Sequence, residues 1–176
     1  MAAESGTRRG GAAGGAPAGA LAGALMMLAL MAWSGSRGQG FWTPLELVGG
    51  ALLGVQSVLG GFWAGIQGLA LHLATAAFWG MLFAGVVGLE TTPAHGVWAG
   101  LLYGVAVWAT MTWVALPVLD PTLAARVGLM EGAWFAAHLV YGAALSIALG
   151  LRRRFSEQRA REERPAVLPE SEGLTL

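Results

Sequence analysis

Long apolar runs separated by short polar breaks dominate the chain. A helix needs about 20 mostly apolar residues to cross the hydrocarbon layer of a bilayer. Four stretches reach that length, at about residues 17–33, 62–89, 93–116 and 130–151. The first is close to the lower limit and follows Arg8 and Arg9, so a cleaved signal peptide is an alternative to a retained helix. A twin-arginine export signal is a weaker form of that alternative, because Gly10 and Gly11 follow the pair. No A-x-A cleavage pattern follows Met31, which favours retention.

A fifth apolar run, residues 43–59, opens with helix-start residues. Thr43 stands as cap, Pro44 takes the first helical position and Glu46 sits where a capping box wants a carboxylate. Trp42 and Leu47 stand at the positions of a hydrophobic staple. Charge decides whether this run crosses. Arg8 and Arg9 mark the amino end, and Arg152, Arg153, Arg154, Arg159, Arg161 and Arg164 mark the carboxyl end, while the connections between them carry only Arg37 and Arg126. The positive-inside rule puts both ends in the cytoplasm, which requires an even number of crossings. Residues 43–59 are therefore read as an interfacial or re-entrant helix.

Spacing within the spans suggests an internal repeat. Gly15, Gly19 and Gly23 recur every four residues in the first span, and Gly96, Gly100 and Gly104 do so in the third. Each ladder is followed by a stretch with a Pro and an acid, then by a G-x-x-x-G and a helix bearing His-Leu, at His72-Leu73 and His138-Leu139. The predicted fold is an all-α membrane protein of four transmembrane helices, arranged as two parallel two-helix repeats plus the one interfacial or re-entrant helix. Residues 1–15 are expected to be a disordered cytoplasmic segment. Residues 16–152 form the transmembrane domain, and residues 153–176 a charged cytoplasmic tail whose mixed Arg and Glu read as a short helical extension that becomes disordered.

Composition agrees with this class. The 176 residues are 56% hydrophobic and 11% charged, and the 28 glycines sit largely inside apolar runs, where a bilayer tolerates them. The absence of cysteine excludes disulfide frameworks, thiolate zinc sites and iron–sulfur clusters. The ten basic residues, all Arg, balance ten acids. Nothing in their distribution suggests a nucleic-acid partner, and no phosphate-binding, dinucleotide or nucleophile motif is present.

The segment Trp98-Ala99-Gly100-Leu101-Leu102-Tyr103-Gly104, then Pro117, Gly132 and His138-Leu139, resembles the YagU-like small inner-membrane proteins of bacteria. The resemblance spans about residues 19–154 in outline and rests on short glycine-based motifs; the connection after the first helix is shorter and more apolar than the family's. It implies a bacterial inner-membrane location. It implies no reaction, cofactor or catalytic residue.

Ionisable side chains deep in a bilayer are the natural candidates for chemistry. His72 and His138 lie about ten and eight residues into helices that start from the same side, on the order of 12–15 Å deep. Thr75 and Tyr141 each supply a hydroxyl one turn on. One reading makes these four residues packing glue; another, a proton or small-solute route; a third, a paired-histidine haem site. Two histidines do not make a closed zinc site, and no metal site or catalytic residue is assigned. The glycine ladders Gly15/Gly19/Gly23 and Gly96/Gly100/Gly104 are read as grooves for close helix crossings, with a partner in the same chain, a second copy or another membrane protein. The leading expectation is a non-enzymatic structural or accessory component in contact with the lipid bilayer. A small transporter or channel-like protein and a haem-binding protein are the alternatives.

Overall fold

The computed structural model describes residues 2–53, 61–87 and 93–162, and among these residues every regular element is helical. Helix α1 spans Ala2–Ser36, α2 Thr43–Leu53, α3 Gly61–Val87 and α4 Pro93–Thr110. A π-helical turn, Met111–Ala115, joins α4 to α5 (Leu116–Leu119); α6 (Pro121–Gly128) and α7 (Glu131–Glu162) follow. Among the described residues, four segments are long and apolar enough to cross a membrane: Gly14–Ser36, Gly61–Val86, Gly96–Leu119 and Glu131–Glu162. The chain is a multi-pass membrane protein. Leu21, Leu28, Leu102, Val114 and Ile147 point out of the bundle. In water such a surface would aggregate, whereas in lipid it costs nothing.

Lipid removes most of the hydrophobic drive between helices, so their association rests on close packing of small residues. Gly15 and Gly19 lie against Gly80, and Gly23 against Ala76, so α1 and α3 meet backbone to backbone. Gly100 lies against Gly142 and Ser146, and Gly104 against the His138 carbonyl, giving α4 and α7 the same kind of contact. A Cβ added at Gly19, Gly80, Gly100, Gly104 or Gly142 would overlap a neighbouring backbone. Gly15, Gly19 and Gly23 of the first ladder and Gly100 and Gly104 of the second are thus occupied within the chain. α1 also packs along α7, and half of its apolar window is buried against 17–33% for the other three spans. It forms the centre of the bundle through Ala18, Ala22, Met26 and Leu30.

These contacts also fix directions. Rising numbers in α1 meet falling numbers in α3, and the Arg152 guanidinium donates to the Gly14 carbonyl, joining the start of the first span to the end of the last. The first and fourth spans therefore run antiparallel, with their outer ends at one face of the bundle.

Two features, the amino-terminal segment and the start of α2, differ from the sequence reading. The segment 1–15, expected to be disordered, is helical from Ala2 onward. Once the span is formed, adding residues to its end needs no new nucleus, which offsets the poor helix propensity of the glycines in this stretch. At the other end α7 continues past residue 151 to Glu162 as the expected short helical extension, with Arg153, Glu157 and Arg161 at four-residue spacing; residues 163–176 lie outside the described residues. The fifth apolar run is helical over Thr43–Leu53, while residues 54–59 of its expected range lie outside the described residues. Its start is also shifted. The Leu45 and Glu46 amides bond to the Trp42 carbonyl, so Trp42 stands at the cap position, and the Thr43 hydroxyl donates back to the Gln39 carbonyl at 2.7 Å.

α2 seats Leu45 and Val48 against Met27 and Met31 of α1, and its Gly49 meets Ala64 of α3 backbone to backbone. On the other hairpin, Asp120 caps α6 by accepting from the Leu123 amide at 2.9 Å, as its place before Pro121 predicts. α6 tucks Leu123 and Val127 under Leu116 and Leu47. Trp42, Trp63 and Trp98 are exposed near helix starts, where an aromatic belt would sit. Trp113, in the π turn, is also exposed, although its depth in the third span suggests internal packing; it packs edge-on against the half-buried Trp108 of α4.

Candidate intramembrane site

The interior polar groups of the two hairpins meet in one place. His72 on α3, Thr75 one turn on, and His138 and Tyr141 on α7 line a single cavity of about 40 Å³. Met26 of α1 and Met111 of the π turn complete its wall, together with the indoles of Trp79 and Trp134. All four sequence candidates therefore border one space, and with Val107 of α4 five helical segments contribute to it.

Each ring is held by the backbone. His72 Nε2 donates to the Gly23 carbonyl at 2.9 Å, a bond that Gly23 permits because it carries no side chain on the α3-facing side. His138 Nδ1 donates to the Trp134 carbonyl at 2.9 Å, one turn back on its own helix, and the Trp134 indole packs edge-on against the imidazole with centroids 4.6 Å apart. A carbonyl only accepts, so the ring nitrogen facing it carries the proton. The two neutral imidazoles are consequently opposite tautomers. His72 keeps its lone pair on Nδ1, and His138 on Nε2.

The tyrosines tie the hairpins together. Tyr141 donates to the Ala76 carbonyl at 2.8 Å, and Tyr103 to the Trp79 carbonyl at 2.6 Å while packing against Phe83. Both therefore reach across to successive turns of α3. Trp134 Nε1 donates to the Thr112 hydroxyl at 2.9 Å, linking α7 to the π turn. That turn has a local cause. Pro117 has no amide hydrogen and its ring crowds the carbonyl four residues back, so the preceding turn opens and the Leu116 amide reaches five residues back to the Met111 carbonyl.

Sequence reasoning misses Met26, Met111, Trp79 and Trp134 as lining residues. Apolarity alone assigns Met26 to lipid contact or core filling with Met27 and Met31, and it is indeed buried, but against the cavity. Pro117 is the available signal for Met111, since a proline late in an apolar helix marks a displaced turn before it. His95 lies in the first turn of α4, far in sequence from this cluster. Among the described residues no three of His, Cys, Asp and Glu converge. Comparison of the chain with protein-family models, with curated proteins and with solved structures finds no match.

Proposed function

We propose that this chain is a non-enzymatic structural or accessory component of a bacterial inner membrane, with both termini in the cytoplasm. The observation that carries this reading is how its interior polarity is used. His72, His138, Tyr103 and Tyr141 each donate a hydrogen bond to a backbone carbonyl of the bundle, which makes them fasteners between and along helices. Cytoplasmic ends rest on the arginine distribution, and the joint between Arg152 and Gly14 at one face of the bundle agrees with it. The bacterial inner membrane rests on the YagU-like resemblance of residues 98–104, Pro117, Gly132 and His138-Leu139.

In this reading the fold is two parallel repeats, α1 with α3 and α4 with α7. Equivalent contacts support it. Gly19 meets Ala76 and Gly80 where Gly100 meets Gly142 and Ser146, and Gly23 meets His72 and Ala76 where Gly104 meets His138 and Gly142. The pairs His72/His138 and Ala76/Gly142 thereby match at one register. α2 rides at the outer interface or dips into the bilayer as a re-entrant helix, and α6 is its counterpart in the second half. Because Gly15, Gly19, Gly23, Gly100 and Gly104 are filled internally, a second copy or another membrane protein would dock on the outward apolar faces.

Crosslinking in native membranes tests the accessory role. Capture of a defined neighbour or a self-oligomer is expected; a chain that stays monomeric and partnerless at native abundance contradicts it. A small-solute or proton route is the second reading, favoured by the shared cavity of the two imidazoles. Reconstituted vesicles with no flux above empty controls would remove it. The haem alternative has little support in this geometry, since about 40 Å³ holds an ion or a few waters and a drug-sized ligand needs about 300 Å³ or more.

A further inference from the structure

We propose that the cavity between the two hairpins is a binding site for a soft monovalent metal ion, copper(I), with His72, His138, Met26 and Met111 as its ligands. The four side chains come from four separate segments, α3, α7, α1 and the π turn, and all border one cavity. Two imidazole nitrogens and two thioether sulfurs make a four-donor set, and thioethers select soft ions, copper(I) above others.

Three further observations converge on the same ion. The cavity lining carries no carboxylate or other formal charge. The cost of burying an ion rises with the square of its charge, so a neutral donor set in a bilayer suits a monovalent cation far better than zinc or magnesium. Each imidazole already donates its other ring N–H to a backbone carbonyl, Gly23 or Trp134. That is the arrangement that fixes the tautomer and orients a metal-binding histidine. A volume of about 40 Å³ admits a small ion or a few waters and no larger ligand.

The π turn then acquires a purpose. Met111 is the residue whose carbonyl accepts the five-residue bond, so the widened turn forced by Pro117 is what sets Met111 at the cavity. π turns occur often at functional sites. The inference goes beyond the membrane-component reading, and its failure would leave the bundle and its topology untouched.

The test uses tag-free, full-length protein in detergent or nanodiscs, titrated anaerobically with copper(I) against a chromogenic copper(I) chelator. One copper(I) per chain is expected, with zinc(II) not competing. Met26→Leu combined with Met111→Leu keeps the side-chain volume and should weaken binding about tenfold or more while thermal stability stays close to that of the parent. His72→Ala should weaken it by about a hundredfold. X-ray absorption of the unmutated, copper-loaded protein gives a readout independent of any variant, with both nitrogen and sulfur scatterers expected around the metal. Absence of chelator-resistant copper(I), equal retention of zinc(II), unchanged affinity in the double Met variant, or a shell without sulfur would each overturn the proposal.

Discussion

Tyr141 on α7 donates to the Ala76 carbonyl on α3 across 2.8 Å, and together with the Tyr103–Trp79 bond it fixes the register between the two hairpins. Both helices run in the same direction. His138 lies three residues before Tyr141 and His72 four before Ala76, so the bond places the two imidazoles at one level of the bundle. Substituting Tyr141 by Phe removes the fastener and keeps the ring in its buried slot. Interhelical hydrogen bonds in membranes average about 0.6 kcal/mol and reach about 1.7. Reversible unfolding of Tyr141→Phe in detergent should show a loss in that range, and an unchanged unfolding free energy would remove Tyr141 as a register bond.

The glycines divide into two groups with opposite expected responses. Gly19 and Gly100 face neighbouring backbone, and a side chain at either forces its helix pair apart. Gly19→Leu or Gly100→Leu should cost several kcal/mol on the overpacking scale of about 1–3 kcal/mol, exceeded where backbone is what must move. A Cβ added at Gly85 or Gly150 would meet nothing within 4 Å, so Gly85→Ala and Gly150→Ala should be neutral or stabilising by up to about 1 kcal/mol through helix propensity. Thermal melts of the four variants would expose the error if the two groups respond alike.

Pro117 is expected to control the cavity from a distance. Pro117→Ala restores the missing amide and lets the Met111–Ala115 turn relax to α geometry, which rotates the segments on either side by about 100° relative to one another. Met111 then leaves the cavity and the Trp134–Thr112 bond is lost. Copper(I) affinity should fall by about tenfold or more while helix content measured by circular dichroism stays level. Retained affinity together with an intact Trp134 environment, read by its indole NMR resonance, would separate the proline from the site.

Much of this arrangement is legible in the chain alone, for definite reasons. A crossing helix has few sequence solutions, so residues 62–89 or 130–151 announce themselves by length and apolarity. The matching depth of His72 and His138 follows from counting along helices that enter from the same side. Asp120 is readable because a cap followed by proline is a local device. What cannot be read depends on partners distant in the sequence. The ladder of Gly15, Gly19 and Gly23 declares a close crossing but not that α3 is the neighbour. Met26 is as apolar as Leu to any hydropathy pattern, and only the position of α1 at the bundle centre brings it to the histidines. Thr43 misleads because its hydroxyl finds the Gln39 carbonyl, a competitor that local rules do not weigh. The helical start of α1 at Ala2 escapes a composition argument because it grows from an already formed span.

The central claim is that two histidines from separate hairpins share one intramembrane cavity. The chain has no cysteine, so a double variant carrying His72→Cys and His138→Cys holds the only two thiols in the protein. A short bifunctional thiol reagent applied to native membranes should join positions 72 and 138 within one chain, as read by mass spectrometry of the linked peptides. A control pairing His72→Cys with the outward-facing Leu102→Cys should not link. Efficient linking of the control, or none between positions 72 and 138 in a folded protein, would contradict the account.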